Sequence, residues 1–401
     1  TGPFASNAKD FQDAFNMYLD SVGNAAGGRK IEATFADSQA QADVGLAKAK
    51  QLVEGDKVNL LTGFNETPTC YAVSPYAKEA QIPLIVADHC AAQDLIVNPK
   101  EASPYLLRTS ETAVIAGDTS ADWISKQGYK KAALITSDYG GGVENGDSFA
   151  SAFIKRGGSI VQELHPPLGT NDFGPFLTQL SSSADVLVVF TPGADGLRFI
   201  NQYGTYVSNS KLPVFDMLGT LSAGSTLAQA KDKAAGVYGQ EVYVDSIDTP
   251  ENQAFVKAWQ AKYPGRAMPS STGNAYSGAQ IIVGALNQVG GAVEDKQRFL
   301  QALYQTNLTT VKGPFKFDQD HDPTENSYIY QIVKTGSDND VSRKMLQTYT
   351  GVSNYWDRTA SQLKTFPFGQ MKGKWVGMTA DQLAKLLSLI HISEPTRQAE
   401  I

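Results

Sequence analysis

Between Val58 and Cys90 two short apolar runs each open into a loop of small and polar residues, the types that hold a ligand by hydrogen bonds. Residues 57–61 (Lys-Val-Asn-Leu-Leu) lead into Thr62-Gly-Phe-Asn-Glu-Thr67-Pro68, and residues 82–86 (Ile-Pro-Leu-Ile-Val) lead into Ala87-Asp-His-Cys-Ala-Ala92. Apolar runs this short, bounded by turn residues and separated by helical pattern, read as buried parallel strands. Loops at the carboxyl ends of such strands are where open α/β sheets bind ligands. Thr67-Pro68 adds a helix start, with a hydroxyl at the N-cap and proline at the first helical position. Free amides and the positive end of the helix dipole suit a small anion there, such as a carboxylate.

Bond-making chemistry finds little support elsewhere. Gly140-Gly-Gly-Val-Glu-Asn-Gly146 has the spacing G-x-G-x-x-x-G, one residue longer than a dinucleotide fingerprint, and Ser137-Asp-Tyr139 separates it from the preceding strand. It reads as a tight, turn-rich loop feeding a helix. Asp318-Gln-Asp-His-Asp322 alternates carboxylates as a calcium loop does, but Pro323 stands where that loop needs glycine and Ile329 where it needs glutamate. An exposed acidic turn is the better reading. His89, His165 and His321 lack metal-ligand spacing, and no G-x-S-x-G elbow is present. No cofactor and no metal are expected. Cys70 and Cys90 sit on adjacent strand-to-helix loops, where a structural bridge and two separate thiols both remain open.

The elements that must position these loops follow from the rest of the chain. Its 401 residues suggest two domains, and 42% hydrophobic with 19% charged residues is ordinary globular composition. A net charge of -7 without a dense Lys/Arg stripe argues against nucleic acid. No apolar run is long enough to span a bilayer. Residues 8–22 are helical in pattern, 30–35 a strand ending at Asp37, and 40–54 an amphipathic helix with Val44, Ala47 and Leu52 among its apolar positions. A helix over 68–79 joins the two strands above, followed by a strand at 105–108 and a helix over 112–127. At Lys130 the alternation restarts, with strands at 132–136, 159–163, 185–190, 213–217 and 236–244, and helices at 146–156, from Asn171, and at 195–203. Helical pattern returns over 250–263, 272–289 and 294–304. Residues 313–318 and 328–333 read as a hairpin-like pair, and 341–379 as an irregular aromatic extension packed on a lobe. Such repetition means mostly parallel sheets with helices on both faces. A doubly wound fold places a strand before the opening helix, so the first strand is expected to be missing from this chain. Residues 388–401 read as a non-native tail.

Taken in order, these pieces resemble the type I periplasmic solute-binding proteins of ABC importers, in the leucine/isoleucine/valine-binding branch. The resemblance rests on Thr1-Gly-Pro3, Asp37 with the helix after it, Gly63 to Thr67, Ile82-Pro-Leu-Ile85, Leu107-Arg-Thr-Ser110, Asp138-Tyr-Gly140, Gly169-Thr-Asn-Asp-Phe173, Ala275-Tyr-Ser-Gly-Ala279 and Gly313-Pro-Phe-Lys-Phe317. It implies an α/β fold of two Rossmann-like, doubly wound lobes joined by a three-strand hinge, with ligand in the cleft. Lobe one would be residues 1–116 and 247–322, lobe two 117–246 and 323–345, and 346–387 an extension packed on a lobe. It also implies a monomer without enzymatic activity that is periplasmic or held in the cell envelope, secreted through a leader absent from this chain. Its partners would be a small-molecule ligand and the membrane subunits of an ABC permease.

Carried over by position, the ligand set is Phe4 on the first-strand loop, Asn65, Glu66 and Thr67 for the ligand carboxylate, and His89, Cys90 and Ala91 on the next loop. Tyr139 matches the lobe-two aromatic that closes over the ligand. The family's second aromatic falls near Pro192, leaving Thr191 as a hydroxyl. The acid that holds an α-ammonium has no secure counterpart, only Gly219 in the loop with Asp216 nearby. Branched-chain amino acids head the expected ligands, with aromatic acids or amides next because of these departures. A ligand sensor of the same fold and a nucleotide-cofactor α/β enzyme are the alternatives.

Overall fold

The structure, a computed structural model, describes residues 4–98, 102–207, 212–336 and 340–389. Every residue of the strand Val186–Phe190 is buried, as a strand covered by helices on both faces must be. Its side chains divide with period two: Leu187 and Val189 enter one core, Val186, Val188 and Phe190 the other. Ala133 and Ile135 against Ala132 and Leu134, and Ile85 and Leu107 against Leu84, Val86 and Leu106, divide the same way. Two cores therefore lie on opposite faces of the sheets.

There are two principal sheets. Leu61–Gly63, Leu84–Val86 and Leu106–Arg108 form a parallel three-stranded sheet, the centre of a first unit. In the second unit Ser159–Leu164, Lys131–Thr136, Val186–Phe190, Val214–Met217 and Tyr238–Glu241 run parallel in that spatial order. The sheet continues through the antiparallel strand Pro323–Lys334 to Gly313–Phe317 and Asn307–Thr310, with Val341–Val352 also pairing along Pro323–Lys334. Helix Ala5–Ser21 packs on Ser270–Gln288 beside the first sheet, and Ala113–Lys126 packs on Gly140–Lys155 beside the second.

Several expectations change. Residues 30–35 do not form a sheet strand: only Arg29–Lys30 is extended and paired, with Ala25–Ala26, and Phe35 is exposed. Among the described residues no strand pairs with the outer edge of Leu61–Gly63, and residues 31–40 face that edge across a cavity of about 950 Å³ also lined by Phe11 and Phe15. The helix after this segment, Ala42–Lys50, buries Gly45 and Ala49 and leaves Ala47 exposed, so its inward stripe is made of small residues. Helix Gly140–Lys155 begins six residues before the expected 146, so the glycine run is its first turns. A Cβ at Gly142 would overlap the carbonyl of Ser137, which is why a glycine-rich start can be helical here. Lastly, the first part of the aromatic extension is the twelve-residue strand Val341–Val352, hidden in the sequence because its burial is irregular and its register shifts twice. The acidic turn is also not exposed: Asp322 is fully buried. The proposed tail lies outside the described residues from Ile390 onward, as do Thr1–Pro3.

Candidate functional site

The carboxyl ends of the first three strands bring the two loops of the sequence argument together. Helix Thr67–Ala80 starts with Glu66 as its cap residue and Pro68 in its first turn, so Thr67 stands one residue inside the expected cap position. Its hydroxyl is thereby released from capping and accepts the N–H of Ala91 at 3.2 Å. Cys70, one turn further on, is disulfide-bonded to Cys90, which ties the helix start to the second loop. Asn65 donates to Asp88, and Glu66, its carboxyl raised by burial, accepts from Thr69. Phe4 is buried beside Asn65 and Glu66 at the wall of the large cavity.

Beneath the second loop lies Arg108, a residue the sequence reading passed over. It is 1% exposed, donates to the carbonyls of Cys90 at 3.0 Å and of Ala91, and lies 3.1 Å from the carboxylate of Asp322. A guanidinium fork can hold several carbonyl oxygens at once, which fixes the turn of the loop. The signal was a lone arginine in the run Tyr-Leu-Leu-Arg108, since a charge in a buried parallel strand implies a partner.

The second unit closes the site from the other side. Tyr139 stacks on Phe190 with ring centroids 6.4 Å apart, and burial raises its phenol. A Cβ on Gly141 would lie 2.9 Å from both the Thr67 hydroxyl and the Tyr139 hydroxyl. The start of helix Gly140–Lys155 thus approaches Thr67 so closely that a Cβ at Gly141 would force the Thr67 or Tyr139 side chain to shift. Two helix N-termini, Thr67 and Tyr139 therefore share one small volume, an arrangement that favours an anion.

Deeper in the second unit, Thr191 is fully buried and its hydroxyl has no hydrogen-bond partner. Asp216 is spent on its own loop, accepting from the Thr220 hydroxyl at 2.7 Å, the Leu221 amide at 2.8 Å, and the Ser222 amide and hydroxyl at 2.9 and 2.6 Å. Burial pushes its carboxyl up to about 7 against those bonds. Gly219 has a positive φ of 61°, and a Cβ there would overlap the carboxyl of Glu241. Glu241 is itself paired with Arg343 at 3.0 Å and with the Tyr330 hydroxyl at 3.0 Å.

His89 does not reach toward ligand with a free nitrogen. Its Nδ1 lies 2.6 Å from Asp88, and its Nε2 lies 2.8 Å from Glu111 and 3.2 Å from the Ser270 hydroxyl. Burial works to lower the imidazole, but Glu111 and Asp88 outweigh it and hold it well above its ordinary value. For Glu111 burial works upward, and His89 with Lys312 brings the carboxyl down to about 2. Local sequence carries no sign of this relay, because residues 89, 111 and 270 meet only through the fold.

Comparison with known proteins places this geometry. The family model described as periplasmic binding protein matches residues 1–338. Leu/Ile/Val-binding protein homolog 6 of Brucella melitensis is 31% identical over 356 residues, 87% of this chain and 89% of that protein. An ABC transporter substrate-binding protein from Sphaerobacter thermophilus superposes with a TM-score of 0.82 at 29% identity, covering 88% of this chain and 95% of that one. A solute-binding protein of an ABC transporter from Rhodopseudomonas palustris BisB5, in complex with 3,4-dihydroxybenzoic acid, does so with a TM-score of 0.81 at 29% identity, covering 88% and 96%. The chain belongs to the periplasmic binding proteins, the substrate-binding proteins of ABC transporters.

Proposed function

We propose that this protein captures a small carboxylate-bearing molecule by closing its two lobes around it, and delivers that molecule to an ABC permease from the periplasm or cell envelope. Lobe one comprises residues 1–116 and 247–322, lobe two 117–246 and 323–345, and residues 346–387 are an extension packed on a lobe; the protein works as a monomer without a cofactor. The observation that carries the reading is the approach of Thr67 and the Cys90–Ala91 loop to Tyr139 and Gly141 of the opposite unit. Hydrogen bonds to a charged carboxylate contribute about 1.5–3 kcal/mol each. Two or three of them, less the costs of ordering, suit a micromolar affinity of about -8 kcal/mol.

An aromatic acid is the favoured ligand. Asp216 has both oxygens occupied within its own loop, and one oxygen of Glu241 already carries Arg343 and Tyr330, so no carboxylate here is wholly free to hold an α-ammonium. The similarity to a protein solved with 3,4-dihydroxybenzoic acid supports the same class. A branched-chain amino acid is the second reading, favoured by one oxygen of Glu241 that has no hydrogen-bond partner behind Gly219.

A thermal-shift series decides between them: benzoate, 4-hydroxybenzoate, 3,4-dihydroxybenzoate, leucine, isoleucine, valine, and NAD as the enzyme-class control. A true ligand at a hundred times its Kd adds about 2.7 kcal/mol of stability. The aromatic acids are expected to raise Tm and leucine to leave it unchanged. Stabilisation by NAD with none of the acids active would overturn the receptor reading.

For the acid that stabilises, Thr67→Val is expected to weaken binding about tenfold, by loss of one polar contact of about 1.5 kcal/mol, with the fold intact. Calorimetry showing unchanged affinity would reduce Thr67 to a brace for the Ala91 amide.

A further inference from the structure

Glu144 has no place in the ligand set, yet its side chain is a direct polar link from one lobe to the other. It sits on helix Gly140–Lys155 of lobe two and is 1% exposed. Both of its bonds come from lobe one: the Tyr71 hydroxyl donates to Oε1 at 2.9 Å, and the Gln93 amide donates to Oε2 at 3.0 Å. Tyr71 lies on the helix that starts at Thr67, and Gln93 ends the loop that carries Cys90 and Ala91, so the two contacts grip the elements that line the candidate site. Residues 353–389 cover the same spot, a Cβ at Gly369 lying 3.3 Å from Cγ of Glu144. Opening the cleft would break both bonds together and return the carboxyl to water.

We propose that Glu144 is a positioning residue that latches lobe two onto lobe one, setting how far the cleft stays closed and hence how tightly ligand is held. This rests on the two-lobe capture reading above. The groups around Glu144 are Tyr71 on one side, Asp94 and the Gln93 amide on another, Arg108 below, and Tyr139 on its own lobe. Burial dominates and pushes the carboxyl up to about 7; the two hydrogen bonds and Arg108 pull it down, and Asp94 pushes it up. Opening restores its ordinary value near 4.5. Closure therefore takes up a proton between those values: the closed form is favoured at low pH, and the advantage is lost as pH rises through about 7.

The test follows the interlobe distance in the ligand-free full chain by electron–electron double resonance, with a spin label on an exposed position of each lobe. In the wild type the closed-to-open ratio is expected to fall about tenfold or more between pH 5.5 and 8. Glu144→Gln, neutral and able to accept the Gln93 N–H through its Oε1 while its NH2 donates to the Tyr71 hydroxyl oxygen, is expected to stay closed at every pH. Glu144→Ala should open at every pH, and Tyr71→Phe should open partly while keeping the pH slope. A distance that ignores pH in the wild type, or Gln and Ala variants that behave alike, would overturn the latch. Calorimetry with 4-hydroxybenzoate and with leucine on the wild type separates the two claims. Binding of neither counts against the receptor reading, whereas binding that Glu144→Ala leaves unchanged counts against the latch alone.

Discussion

Arg108→Ala is expected to lose about 3–5 kcal/mol of folding stability and, in whatever fraction still folds, to lose ligand capture. The size follows from what the side chain leaves behind. Asp322, fully buried, would keep only the Gln93 amide group at 3.3 Å and the Asn354 amide group at 2.5 Å against its charge. Removing one partner of a buried ion pair costs more than the pair contributes, because the remaining charge has no water to turn to. Binding fails for a different reason: the carbonyls of Cys90 and Ala91 lose their shared donor, and the Ala91 amide no longer meets Thr67 in register. Arg108→Lys should recover part of the stability and little of the binding, since an ammonium is a point charge and cannot fork across the loop. Urea unfolding measures the first effect as a lower midpoint with an unchanged slope. A shift under 1 kcal/mol would mean that Asp322 is neutral in the folded protein and Arg108 serves only the loop.

Arg358→Ala is expected to cost a similar amount through another route. Arg358 meets Asp118, 1% exposed, with Nε 3.0 Å from both carboxylate oxygens and a terminal nitrogen 2.6 Å from one. The same terminal nitrogen donates to the Ser148 carbonyl at 3.0 Å and the Ser151 hydroxyl at 3.1 Å, and the guanidinium lies over Phe366 and Phe368. This one side chain pins residues 353–389 across the helices Ala113–Lys126 and Gly140–Lys155. Its loss strands Asp118, whose carboxyl burial already raises despite the arginine, and frees the segment for proteolysis. The double change Arg358→Met with Asp118→Leu should regain most of the loss, because apolar residues of similar volume replace a buried pair at little or no cost. If the single and double variants unfold at the same urea concentration, the ion pair is not what holds the segment.

How much of this was legible beforehand depends on the range of each interaction. The βαβ order, the parallel strands, the helix after Thr67 and its meeting with the Cys90 loop follow from apolar runs, turn residues and helix-start signals, all local. Thr67 and the two cysteines were singled out on those local signals, and Tyr139 only by the resemblance. Residues 30–35 failed because extended pattern makes a strand only when a neighbour supplies hydrogen bonds, and here the segment lines a cavity instead of pairing with the edge of Leu61–Gly63. The glycines at 140–142 read as a loop because their helix propensity is poor, whereas the close approach to Ser137 and Thr67 outweighs that preference.

The amino-acid order thus settled the class of fold, since that depends on periodicities of two to four residues. Which charges are buried together was decided in three dimensions. Arg108 with Asp322, His89 with Glu111, and Glu144 with Tyr71 and Gln93 are each brought together across 22 to 214 positions or more than one lobe. Their pairing is a product of packing, because a buried charge persists only where the fold delivers its partner.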